Sequence, residues 1–129
     1  MENLPPLLQH LADIPRLHTV PLPELRIGKG EITLSVDDVD EKRFQLVFKP
    51  FQAIRVTTVD CFLFPTKSGF IRGGVFIVEN SPWVLELREA LRQIDRTATF
   101  MDKAFHYLIP AGDDVIEVVA WGVVSSRIF

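Results

Sequence analysis

Ala104-Phe105-His106-Tyr107-Leu108-Ile109-Pro110-Ala111-Gly112-Asp113-Asp114-Val115-Ile116-Glu117-Val118-Val119-Ala120-Trp121 is the stretch that decides the fold. Two runs rich in aromatic and β-branched residues flank a turn of Gly and Asp. That grammar predicts an antiparallel hairpin, 104–110 against 115–123. Gly and Asp tolerate the positive φ values that tight hairpin turns demand. If Pro110 faces Val115, a loop of two or four residues pairs Leu108 with Glu117 and His106 with Val119. Tyr107 then faces Val118 on the opposite side, with Phe105, Ile109, Ile116 and Ala120, and that side reads as core. His106 and Glu117 become diagonal neighbours on the face that also carries Trp121. An odd-length loop would shift the register and separate them.

Upstream, Ser81-Pro82-Trp83 opens a helix over about 81–94. Serine is a good N-cap, and proline is tolerated at the first helical position. Trp83, Leu87, Ala90, Leu91 and Ile94 recur on one helical face. Arg88, Arg92 and Arg96 form a stripe beside Glu86 and Glu89 that reads as solvated surface.

Further back the period is two. Ile32, Leu34 and Val36 alternate with polar neighbours, and so do Phe44, Leu46 and Phe48. The acidic run Asp37-Asp38-Val39-Asp40-Glu41 joins the two strands as a solvated hairpin tip. A third strand is expected over about 53–64 and a fourth over 70–78, separated by the turn Pro65-Thr66-Lys67-Ser68-Gly69. Gly73-Gly74 marks a bulge or a close backbone approach. At the start of the chain, Leu7, Leu8, Leu11 and Ile14 predict a short helix over 3–14, with Pro5 and Pro6 in its first turn. Pro15, Pro21 and Pro23 keep 15–23 irregular, so 1–23 reads as a Pro-rich leader packing on the domain. Residues 1–129 together read as a single α+β domain with a mostly antiparallel β-sheet and one principal helix.

Composition narrows the function classes. The net charge is −3 and the basic residues are scattered, which argues against a nucleic-acid partner, since phosphate binding rests on clustered Lys and Arg. The first residues have no basic run and are broken by prolines, unlike a signal peptide. No apolar run approaches the roughly 20 residues of a membrane helix. Cys61 is the only cysteine, so no internal disulfide forms, and a cytoplasmic location is expected. His10, His18 and His106 lack metal-ligand spacing, and the acidic run lacks the glycine of a calcium loop. No phosphate loop, dinucleotide fingerprint or nucleophile elbow is present, so no metal or cofactor is expected.

The candidate binding residues are His106, Glu117 and Trp121 on one hairpin face, with Trp83 and Arg55 nearby. A histidine beside a carboxylate is either a surface hydrogen bond or a general base with its orienting partner. Arg55 and Asp60, polar interruptions of an apolar strand, read as facing solvent in preference to pairing across a cavity. Cys61 reads as a small buried hydrophobe.

Ser81-Pro82-Trp83-Val84-Leu85-Glu86-Leu87, then Phe105-His106-Tyr107-Leu108-Ile109-Pro110 and Asp113-Asp114-Val115-Ile116-Glu117-Val118-Val119-Ala120, resembles the closing region of small uncharacterised bacterial proteins. Those end in a helix started by Ser and Trp and an aromatic-His-Tyr hairpin. The resemblance covers about 40 residues and implies no activity. Some bacterial proteins of this size and build are immunity proteins that bind a toxin, an analogy of fold alone.

The expected function is a non-enzymatic binding module for a protein partner or a second copy of the chain. Ten Phe residues and a strand over 115–124 offering an edge to pair support it. The alternative is a small-molecule-binding or hydrolytic protein using His106 and Glu117.

Overall fold

The computed structural model describes residues 4–18 and 23–128. Among the described residues ten strands and one α-helix follow in chain order: β1 (Leu7–His10), β2 (Leu17–His18), β3 (Glu24–Gly28), β4 (Glu31–Asp38), β5 (Arg43–Phe48), β6 (Phe51–Thr58), β7 (Phe76–Glu79), α1 (Pro82–Ile94), β8 (Phe105–Ala111), β9 (Asp114–Ala120) and β10 (Val123–Arg127). Every strand pairing is antiparallel. One sheet has the order β1-β7-β8-β9-β6. The other runs β10-β5-β4-β2, with β3 also on β4. The fold class is therefore α+β, as expected.

The first hairpin forms because its apolar residues share one face. Ile32 pairs with Phe48, Leu34 with Leu46 and Val36 with Phe44, and all six are buried. They meet Tyr107, Ile109, Ile116, Val118 and Ala120 of the other sheet in one continuous core. Phe48 and Tyr107 touch across it, with ring centroids 5.2 Å apart. The chain passes between sheets at Lys49-Pro50 and at Trp121-Gly122. The two passages are tied together: the Lys49 N–H donates to the Gly122 carbonyl at 3.0 Å, and the Trp121 N–H to the Pro50 carbonyl at 3.1 Å.

The opposite face of the β8–β9 sheet is also covered. Trp83, Val84, Leu87 and Leu91 of α1 pack with Met101 on Val119. Phe62, Phe64 and Ile71 pack on Phe76, Val78, Leu108 and Val115. His106 and Glu117 lie in the seam between these two clusters.

Several boundaries differ from the sequence expectation. The segment expected as a short N-terminal helix is extended instead, and β1 pairs with β7 from Leu7↔Glu79 to His10↔Phe76. The exposure of β1 alternates residue by residue. A few leucines in so short a run fit either period, and the unpaired edge of β7 supplies the ladder hydrogen bonds that decide between them. Residue 3 of that expectation and residues 1–3 and 19–22 of the leader lie outside the described residues. The third strand stops at Thr58, opposite Asp114 where its partner turns away, and Val59–Cys61 forms a 3₁₀ turn. The fourth strand is only Phe76–Glu79. β9 is not an edge, because β8 and β6 flank it. Asp37 and Asp38 are buried, not solvated: Asp38 Oδ1 accepts from the Asp40 and Lys42 N–H groups, and its Oδ2 from Arg127. In α1 the packed stripe lies nearer Val84, so Ala90 is exposed and Ile94 is 86% exposed in the last turn.

Gly73-Gly74 is the close approach foreseen. The Leu17 N–H donates to the Gly73 carbonyl at 2.8 Å. A Cβ on Gly74 would stand 2.9 Å from the Phe76 ring and 3.0 Å from both the His10 ring and the Ile71 carbonyl oxygen. Gly74→Ala is therefore expected to cost about 1–3 kcal/mol, read as a lower urea midpoint. An unchanged midpoint would mean that the backbone here yields freely.

Candidate functional site

The seam holds a continuous run of hydrogen bonds. Ser81 caps α1, its Oγ accepting from the Val84 N–H at 3.2 Å. The same Oγ lies 2.7 Å from His106 Nδ1. On the other side of the ring, His106 Nε2 lies 2.6 Å from Glu117 Oε2. Arg55, directly opposite Glu117 in the β6–β9 ladder, grips that carboxylate with both arms: Nε to Oε1 at 2.6 Å and Nη2 to Oε2 at 3.1 Å. Ser81, His106 and Glu117 are buried, whereas the Arg55 side chain is 48% exposed.

The hydrogen-bond run assigns the proton positions. Burial pushes the Glu117 carboxyl up, but hydrogen bonds from His106 and Arg55 and the Arg55 charge hold the group below its ordinary 4.5. The carboxylate therefore accepts from His106 Nε2–H. In the neutral ring this leaves Nδ1 as the acceptor for the Ser81 hydroxyl. Each polar group of the run then has a partner, which is what makes its burial tolerable. Trp83 packs edge-on against His106, with centroids 5.2 Å apart, and the Arg55 guanidinium lies 4.0 Å over the Trp83 ring.

Two clefts flank His106. One, of 320 Å³, is walled by Arg55, Trp83, Glu86, Leu63 and Glu117. The other, of 620 Å³, is lined by Ser81, His106, Val84, Leu85, Phe105 and Arg88. Phe105, expected to face the core, is half-exposed at the rim of the larger cleft. Arg88 is held by Asp102 at 3.3 Å, so the arginine stripe is not uniformly solvated. Among the described residues no group of three or more His, Cys, Asp and Glu side chains is placed to hold a metal ion, and no helix is long and apolar enough to cross a membrane.

Of the residues singled out from the sequence, His106, Glu117, Trp83 and Arg55 come together. The diagonal placement of His106 and Glu117 follows from the pairs Leu108↔Glu117 and His106↔Val119. Trp121 stands apart, where the chain leaves the sheet, with the Lys103 ammonium 4.8 Å over its ring. Asp60 lies in the exposed 3₁₀ turn and takes no part. Cys61 in the same turn is exposed, contrary to the buried reading. Ser81 is the residue sequence reasoning missed. Its cap position was legible, but its distance to His106, 25 residues away, was not. No known protein family matches this chain, and comparison with curated proteins and with solved structures gives no match either.

Proposed function

We propose that this protein is a binding module that docks a protein partner on the Arg55–Trp83–Leu63 face. One observation carries the reading: a buried acid clamps a half-exposed arginine over a tryptophan, beside a leucine that is 92% exposed. Arginine and tryptophan are the residues most often found at the energetic centre of protein interfaces. Glu117 occupies two of the five N–H donors of Arg55. The others remain for a carboxylate or carbonyl of the partner. Leu63, Phe62 and the Trp83 ring supply the apolar surround. Because Arg55 is pre-oriented, little side-chain entropy is lost on binding. The scattered basic residues favour a protein over a nucleic acid. The exposed thiol of Cys61 fits a reducing, cytoplasmic setting.

Affinity capture from the source cells, using native protein, Leu63→Asp and Arg55→Ala as baits, identifies the partner. Titration of the purified pair then measures each variant. Each substitution is expected to weaken binding at least tenfold, about 1.4 kcal/mol. Leu63→Asp should leave the fold intact, since Leu63 contributes almost no buried surface. A partner bound equally well by both variants sinks the proposal.

A further inference from the structure

The larger cleft opens on the other side of His106, and its floor has a different chemistry. Ser81 Oγ, His106 and Glu117 stand in series at 2.7 and 2.6 Å, and Ser81 and His106 both line the 620 Å³ space. We infer that these three residues form an acyl-transfer centre that cleaves carboxylic esters with an apolar acyl group. The order of roles follows from the hydrogen bonds. Glu117, kept ionised by Arg55, holds the ring with Nε2 protonated, so the Nδ1 lone pair faces the serine hydroxyl.

In the first step Ser81 Oγ attacks the ester carbonyl carbon and its proton passes to His106 Nδ1. The tetrahedral intermediate collapses, the C–O bond to the alcohol breaks, and the departing oxygen takes the proton from Nδ1. A water then gives a proton to Nδ1 and attacks the acyl carbon. The bond to Ser81 Oγ breaks, the proton returns to Oγ, and the carboxylic acid leaves. No oxidant or further reactant is needed. At the start of α1 the Val84 N–H donates to Oγ and steadies the negative charge that develops on it as its proton leaves. Val78, Val84, Leu85 and Phe105 give the cleft apolar walls for the acyl chain.

The test uses a fluorophosphonate probe and p-nitrophenyl butyrate on the full chain. A single adduct is expected, mapped to Ser81 by mass spectrometry, together with butyrate ester hydrolysis. His106→Ala should slow both by about 100-fold or more. Ser81→Ala removes the helix cap as well as the nucleophile. Ser81→Asn is therefore the decisive variant: asparagine caps as well as serine but has no hydroxyl, and it should neither label nor hydrolyse. Native protein left unlabelled by millimolar probe over hours, or an adduct that survives in Ser81→Asn, overturns the inference. The Ser81–His106 contact is then a tie between α1 and the sheet.

Discussion

Glu117→Ala is expected to cost about 1–3 kcal/mol, because it leaves the buried His106 Nε2–H without an acceptor, while the half-exposed Arg55 regains water. Glu117 is 2% exposed and is the junction of the seam, since both His106 and Arg55 hydrogen-bond to it. Without it, His106 Nε2 has no acceptor in an apolar seam, and the Arg55 charge loses its counterion while lying against Trp83. A loss of that size is a large fraction of a domain's stability, so urea denaturation should show a clear fall in midpoint. Glu117→Gln should be milder but still costly. The amide has one acceptor oxygen where the carboxylate has two, so its NH₂ must face a donor of Arg55 or His106. A cost below about 1 kcal/mol for the alanine variant would show that the seam is not a coupled unit.

The same carboxylate sets the acid limit of stability. Its folded-state value lies below the ordinary 4.5 expected in the unfolded chain. Below that ordinary value the unfolded chain takes up a proton that the folded chain refuses. Stability is therefore fully present above about 4.5 and falls as the pH drops through the folded-state value. Asp38 acts in the same direction, held low chiefly by its hydrogen bond from Arg127. Denaturation midpoints for native protein should decline through this acid window. Glu117→Gln should start lower and decline less, and parallel curves for the two would assign the acid sensitivity elsewhere.

Phe48→Ala is the second large effect, expected at about 3–5 kcal/mol. Phe48 has no exposed surface, stands opposite Ile32 and Val123 in its own sheet, and packs on Tyr107 of the other. Its removal leaves a hole between two sheets joined at nearby passages, where the backbone has little freedom to close it. Leu63→Ala provides the contrast: at 92% exposure it should change stability by no more than about 0.5 kcal/mol. Similar costs for the two would mean that the core is not where the burial pattern places it.

Much of the fold was legible because its two hairpins carry their register in their own sequence. Ile32, Leu34 and Val36 against Phe44, Leu46 and Phe48 alternate cleanly. The Gly112-Asp113 turn fixes Pro110 opposite Val115, which puts His106 and Glu117 on one face. The N-terminal segment was not legible, because Leu7 and Leu8 become a strand only when β7 offers them an edge. The end of the third strand was hidden for the same reason: it stops where β9 turns away. Trp121 shares the parity of Glu117, yet it falls where the chain leaves the sheet for the other layer. Parity then ceases to predict a neighbour.

Local spacing was enough for the class of fold, the capped helix and the diagonal placement of a histidine and an acid, since these depend on a few neighbouring residues. The burial of this face, the closing of Arg55 and Ser81 on its two ends and the clefts on each side of His106 arise from long-range packing. Those facts depend on where α1 and the 62–71 segment settle on the sheet. That is set by the packing of Trp83, Val84 and Leu87 on one side and Phe62, Phe64 and Ile71 on the other. No local pattern encodes the seam they leave between them.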